Sequence, residues 1–173
     1  MVRYADDFVI LCRSQAAAEA ALALVRQWTD SAGLILHPDK THLVDASQRG
    51  GFDFLGYHFE RGRHWPSKKA RKQLRTRLRP LIKRNNGTSL DTIVSRLNPI
   101  LSGWFEYFKH GAAYDLRTLD SWVRMRLRSI LRRRRKRKGR GRGRDHQRWP
   151  NAFFADHGLF SLAAAHAEAC QSV

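Results

Sequence analysis

The chain changes its apolar period once, at Pro66-Ser67, and that switch sets the kinds of structure available on either side. Ahead of it, apolar residues come in short runs or alternate, as in Phe8-Val9-Ile10-Leu11-Cys12, Leu34-Ile35-Leu36 and Phe52-Asp53-Phe54. Behind it they recur every three or four residues: Ala70, Leu74, Leu78, Leu81; Leu101, Trp104, Phe105, Phe108; Leu119, Trp122, Val123, Leu127, Ile130, Leu131. A period of two is that of a strand and one near 3.6 that of an amphipathic helix. The fold class implied is α+β: a front of β-hairpin, helix and short strands, followed by an all-α helical region and a basic tail.

Local signals place the elements. Val2 and the 8–12 run flank Tyr4-Ala5-Asp6-Asp7, which reads as a hairpin with both aspartates at or next to its turn. Ser14 is a good N-cap for an alanine-rich helix over 15–31 with Gly33 as its stop, and Ala21, Leu24, Val25 and Trp28 should face a sheet. Two strands are expected at 34–36 and 40–44 around a turn at His37-Pro38-Asp39, and a further sheet element over 52–59 disturbed at Gly56. Ser67 opens the first helix behind the switch, which Pro80 should end or kink. A second helix starts at Thr88 or Ser89 and runs to about Leu97. Asn98-Pro99 should restart it as cap and first helical residue, with His110-Gly111 as the stop. A last helix carries Arg124, Arg128 and Arg132 off its apolar face.

Charge selects the partner. Lys and Arg number 33 against 15 Asp and Glu, a formal net charge of +18. Self-repulsion on that scale is offset by a polyanion, and nucleic acid comes before an anionic membrane surface. Arginine outnumbers lysine, which suits bidentate phosphate contact. No apolar run approaches the ~20 residues of a membrane span, no secretory pattern follows Met1, and Cys12 and Cys170 are too far apart to suggest a metal site. A cytoplasmic location is expected. Arg132 to Arg144 is almost all arginine, lysine and glycine and should be disordered when free, adding affinity and salt dependence but little specificity. The Trp149–Phe154 and Gly158–Leu162 stretches should dock a tail on the helices.

Two adjacent carboxylates at a hairpin tip have two readings, a solvated turn or ligands for Mg²⁺, a hard cation that prefers carboxylate oxygen. Paired ions clamp the attacking and leaving oxygens of nucleotidyl transfer. Tyr4-Ala5-Asp6-Asp7, Gly33-Leu34…Pro38-Asp39-Lys40-Thr41 and Phe54-Leu55-Gly56-Tyr57 resemble, in order and spacing, motifs of bacterial group II intron reverse transcriptases. Further on, Pro66-Ser67-Lys68-Lys69, Leu101-Ser102-Gly103-Trp104-Phe105…Tyr107-Phe108 and Leu119-Asp120…Trp122-Val123-Arg124…Leu127-Arg128 resemble the maturase, or thumb, domain of the same family.

The resemblance implies the end of a reverse transcriptase palm over 1–62, a maturase-specific helical domain over 66–131, a basic disordered segment over 132–148 and a tail over 149–173. It implies Mg²⁺ ligation by Asp6 and Asp7 in the complete enzyme, with Tyr4 near the primer terminus and Lys40 assisting pyrophosphate departure. Lys40 is equally read as an ordinary strand-end lysine. Phe54, Leu55, Gly56 and Tyr57 match the element that grips the primer strand, where glycine admits a close backbone approach; the other reading is a plain sheet edge. Lys68, Lys69, Arg71, Lys72, Arg75, Arg124 and Arg128 are the expected nucleic-acid contacts. Trp104, Phe105, Tyr107 and Phe108 are expected in the core, since their spacing fits one buried stripe.

The implied parent activity is RNA-directed DNA polymerisation, with a second role in folding intron RNA for splicing. The partner is intron RNA or an RNA/DNA hybrid. A further palm carboxylate expected upstream is missing from this sequence, so a truncated chain inactive alone as a polymerase is the expectation, with RNA binding retained. A functionless mobile-element remnant and a generic basic nucleic-acid binder are the alternatives.

Overall fold

The computed structural model describes residues 1–37 and 40–171. The chain divides into two compact units, one of residues 1–54 with 59–62 and the other of residues 55–58 with everything from Arg63 onward.

In the first unit β1 (Val2–Tyr4) and β2 (Asp7–Val9) pair antiparallel, with Val2 opposite Val9 and Tyr4 opposite Asp7. The two-residue loop is Ala5-Asp6, and Ala5 takes a φ of +50°. A positive φ at the first loop residue alone is the type II′ pattern, whose twist matches that of the strands. Arg3 Nε donates to Ala5 O at 2.8 Å and steadies the loop. Helix α1 (Gln15–Ser31) starts where its cap chemistry places it: the Ser14 hydroxyl accepts the Ala17 N–H at 3.2 Å. It ends in paired bonds from Gly33 N to Asp30 O and from Leu34 N to Thr29 O, the Schellman pattern.

Two expectations for this unit fail. Residues 34–37 and 41–45 are irregular and form no strand, and the N–H groups of Lys40 and Thr41 both turn back to His37 O at 3.1 Å. No partner strand is at hand for them among the described residues. Nor does α1 bury its stripe: Leu24 and Trp28 are 67% and 63% exposed, and Thr29 is the one buried residue of the helix. A two-stranded ribbon is too narrow to cover a helix face. Pro38 and Asp39, the centre of the expected turn, lie outside the described residues.

Strands β3 (Phe52–Phe54), β4 (Tyr57–Glu60) and β5 (Arg63–Pro66) form a sheet in that order. Both connections are two-residue loops with positive φ throughout, Leu55-Gly56 at +48° and +80° and Arg61-Gly62 at +52° and +70°. That is type I′ geometry, so the disturbance read at Gly56 is a hairpin turn.

The second unit holds the hydrophobic core. Helices α2 (Lys68–Leu78), α3 (Leu90–Phe108) and α4 (Ala113–Arg134) contribute Leu74, Leu78, Leu97, Leu101, Leu119 and Leu127, among others. Ser67 and Ser89 cap α2 and α3, accepting from Ala70 N and Thr92 N at 3.1 Å. α3 continues through Pro99, where a break and a new cap were expected. Its stripe runs unbroken across the proline, from Ile93, Val94 and Leu97 to Leu101, Phe105 and Phe108, and that burial outweighs one lost backbone bond. Asn98 serves elsewhere: its amide donates to Gly158 O at 2.8 Å and accepts Phe160 N–H at 2.9 Å.

The basic run is a fourth correction, because 132–148 is not a structureless segment. α4 extends to Arg134 and α5 (Arg144–Arg148) follows, with Asp145 buried and paired to Arg132 at 2.6 Å. Gly141 packs on α4, donating to Ser129 Oγ at 3.2 Å, and a Cβ there would fall 2.5 Å from Arg128 Cβ. Composition cannot reveal a segment anchored by one carboxylate and one glycine. Beyond it, α6 (Asn151–Asp156) and α7 (Leu162–Gln171) return to the core through Trp149, Phe154 and Leu162.

Candidate nucleic-acid interface

The solvent face of α2 is a cationic ridge on a rigid base. Ala70, Leu74 and Leu78 are buried, which turns Lys68, Lys69, Lys72 and Arg79 outward. The helix carries no acidic residue, and Lys68, Lys69 and Lys72 make no ion pair among the described residues. One sign of charge held in fixed register is suited to a phosphate backbone.

Arg71 and Arg75, expected on the same surface, are half-buried and occupied. Arg71 Nη1 bonds the buried Asp115 carboxylate, and the Arg75 guanidinium lies 5.8 Å from the Trp122 ring centre. The Nε of each is buried without a partner among the described residues, so both side chains are anchored inward. Arg128 is a clearer correction. It is 3% exposed, donating from Nε to Trp149 O and from Nη2 to Asn151 Oδ1, both at 2.8 Å, with its guanidinium 5.1 Å from the Phe154 ring centre. Burial, with the charge of Arg124 added, pushes its pKa below the ordinary arginine value. A guanidinium enclosed in this way is structural and cannot reach a phosphate. Arg124 is partly exposed and lies 3.8 Å from Asp120.

The Leu55-Gly56-Tyr57 turn is clasped to the end of α3. Tyr57 donates its hydroxyl to Tyr107 O at 2.6 Å and Tyr107 donates to Leu55 O at 2.8 Å. Burial, then the neighbouring Tyr107, raises the Tyr57 pKa above the ordinary tyrosine value. A Cβ on Gly56 would sit 3.2 Å from the Phe108 ring, and Gly56 O accepts the N–H of Ser67, the α2 cap, at 2.8 Å. The close approach expected of this glycine is thus made to α3. Tyr107, expected in the core, is 54% exposed and acts as half of the clasp. Phe105 and Phe108 are buried as expected, and Trp104 is partly so, its ring 4.5 Å from that of Phe108. Phe54 stands in the other unit, at the end of β3.

At the hairpin tip of the first unit Tyr4, Asp6 and Asp7 are all exposed, Asp6 in the loop and Asp7 at the first position of β2. Lys40 is exposed in its turn, and no ion pair joins it to either aspartate among the described residues. No third carboxylate, histidine or cysteine joins them to make a metal-holding group among the described residues. Magnesium binds one or two carboxylates and fills the rest of its octahedral shell with water and phosphate oxygen, so Asp6 and Asp7 would supply the donor type it uses but not the whole shell.

A family model for the maturase-specific domain of group II introns matches residues 62–149, over half of the chain. The chain belongs to this family. A model for reverse transcriptase (RNA-dependent DNA polymerase) matches residues 1–59, so the chain derives from a group II intron reverse transcriptase and maturase. No curated protein matches it. Among the described residues no helix is long and apolar enough to cross a membrane.

Three carboxylates to which sequence reading gave no role organise this maturase domain. Asp115 holds Arg71. Asp120 caps α7 from a distance, accepting Ser161 Oγ at 2.7 Å, Leu162 N at 3.0 Å and Ala163 N at 3.1 Å. Asp145 holds Arg132 and accepts Arg142 N–H. Burial pushes the Asp145 pKa up, but the Arg132 and Arg142 hydrogen bonds and the charges of Arg132 and Arg137 outweigh it and hold it below the ordinary carboxylate value. The only signal in the sequence was scarcity, a few acids inside strongly basic helices.

Proposed function

We propose that the maturase unit of this chain binds folded intron RNA along the α2 ridge and so assists intron folding and splicing. The observation that carries the reading is the outward set Lys68, Lys69 and Lys72 on a helix whose opposite face is fixed in the core. A ridge of fixed geometry contacts phosphates at set positions, whereas a flexible polycation supplies mainly counterion release. Arg71 and Arg75 act behind this surface and tie α2 to α4 through Asp115 and Trp122, while Arg128 fixes the Trp149–Asn151 stretch instead. The RNA is met in the cytoplasm, and an RNA/DNA hybrid would fit the same ridge. In this reading Asp6 and Asp7 would bind Mg²⁺ only where further carboxylate oxygen completes the site. Templated synthesis by this chain alone is accordingly not expected.

The test is a salt titration of the parent chain and a Lys68→Gln/Lys69→Gln/Lys72→Gln variant against intron RNA and a scrambled RNA of equal length. The variant should lose its preference for intron RNA while keeping much of its affinity for the scrambled one. Equal loss on both would replace the maturase reading with a generic basic binder.

A further inference from the structure

The segment between α4 and α5 folds around a concavity of about 620 Å³, within the ~300–1,000 Å³ typical of ligand clefts. Its walls bear the guanidinium-carrying residues Arg132, Arg137, Arg142, Arg144 and Arg148 against a single carboxylate, Asp145. Asp145 is 5% exposed and already committed to Arg132, at 2.6 Å, and to the Arg142 N–H, at 3.2 Å. The side chains of Arg137, Arg142 and Arg144 have no hydrogen bond or ion pair among the described residues. Among the described residues the Arg148 side chain makes only a ring contact, 6.0 Å from the centre of Trp149.

Converging guanidiniums repel one another, and a flexible arginine-glycine run relieves that repulsion by spreading into water. This run is prevented from spreading. Gly141 is pinned on Arg128, at a place where a Cβ would lie 2.5 Å from the Arg128 Cβ, and Asp145 ties the far side to α4. A fold that holds five guanidinium-bearing residues around one hollow against a single carboxylate is complementary to clustered anionic oxygen, and planar guanidinium forks match phosphate bidentately.

We propose that this concavity is a built phosphate site that takes adjacent backbone phosphates of RNA at a bend of a single strand. It rests on the proposed RNA role but is separate from the α2 ridge. It makes the arginine-glycine segment a structured contact in place of a disordered tether.

The test compares variants of the full chain for affinity to a short unstructured RNA. Arg142→Ala/Arg144→Ala removes two charges from the hollow. Arg133→Ala/Arg140→Ala removes two from exposed positions of the same stretch outside it. Gly141→Ala changes no charge but forces the segment off α4. A built site requires the first pair to lose about tenfold or more, the second only about two- to threefold from counterion release, and Gly141→Ala to bind several-fold more weakly than the parent. Equal losses for the two pairs, together with parent-like binding by Gly141→Ala, would overturn the proposal, since a flexible polycation responds to charge alone. Inorganic pyrophosphate supplies the second arm, read as slowed amide exchange over 141–148. Protection by pyrophosphate with no difference between the pairs on RNA would mean that a free polyphosphate is the ligand, and would overturn the RNA assignment. If the concavity fails and the α2 variant still discriminates between RNAs, the proposed function stands without this site. The reverse pattern removes that function and leaves the site.

Discussion

Among the described residues, every buried apolar side chain lies at Pro66 or later, while the front of the chain buries Thr29 and leaves Leu11, Leu24, Trp28 and Ile35 exposed. The two regions do not differ in supply, since the front has apolar residues in quantity. They differ in what those residues can pack against. Behind the switch, three long helices present stripes to one another and close a core. In front, one helix, a two-stranded ribbon and a small three-stranded sheet hold their shape through caps and turns, so local hydrogen bonding makes elements there without making a buried interior. The lesson concerns where stability resides: the secondary structure of both regions is locally encoded, but only one closes a buried core.

The most direct way to break that comparison is a matched pair of truncations. Leu97 is fully buried on α3 and Leu24 is 67% exposed on α1. Leu97→Ala should cost about 2–5 kcal/mol by transfer and cavity terms together. Leu24→Ala should stay within about 0.5 kcal/mol, as surface changes do. Denaturant unfolding followed by circular dichroism gives both numbers. A cost for Leu24→Ala approaching that of Leu97→Ala would show that the front region does bury its helix in solution, by self-association or by docking.

A smaller effect is expected at Asp120, which carries tertiary order by hydrogen bonds alone. Asp120→Ala removes the acceptor for the N–H groups of Leu162 and Ala163 and for the Ser161 hydroxyl. Losing the acceptor of a buried donor costs about 1–3 kcal/mol. The loss should appear as fast amide exchange over 162–171 with 90–108 still protected. Uniform deprotection of both helices would instead make α7 an inseparable part of the core.

Much of the fold could be read from the sequence because capping and periodicity act over a few residues. Ser14, Ser67 and Ser89 cap where their hydroxyl chemistry says, and the stripes of α2, α3 and α4 are the ones that fold inward. The failures share a cause, since each depends on a partner distant in sequence. The stripe of α1 looks like any core stripe until one asks what covers it. Pro99 looks like a start until Ile93 and Phe105 are seen on one face. In the candidate surface the outward placement of Lys68, Lys69 and Lys72 was legible, since lysines there have nothing inward to pair with. It was illegible in its arginines, because one residue type serves phosphate, buried carboxylate, carbonyl and aromatic ring alike. Arg71 is committed by Asp115 and Arg128 by Trp149 and Asn151, and no local pattern announces such partners. The run 132–148 failed for the same reason, with Asp145 the one residue that reverses its character.

The smallest effect, and the finest test of the comparison, is in acid. Asp45 at the front and Asp145 behind both have pKa values below the ordinary carboxylate value of 3.8. Asp45 is held down mainly by the Ser47 hydroxyl, at 2.6 Å, and by the Ser47 N–H, at 2.9 Å, both within one turn. Asp145 is held down by Arg132 and Arg142 against the opposing push of burial. A carboxylate with a depressed folded pKa adds stability that is fully present above its unfolded value and is lost as the pH falls through its folded value. Both contributions are therefore whole at neutral pH and begin to go near pH 4. Their consequences should differ in extent. Protonating Asp45 should free only the 45–48 turn, since among the described residues that carboxylate bonds only Ser47 and Gln48. Protonating Asp145 should release Arg132 and loosen 138–149 together, including the buried indole of Trp149. Amide and indole signals followed by heteronuclear NMR from pH 6 downward would separate the two. Asp145→Asn should show the loosened 138–149 signals already at pH 6, and Asp45→Asn should leave them unchanged. If the segment stays ordered in Asp145→Asn, its order comes from Gly141 packing on α4 and not from the ion pair.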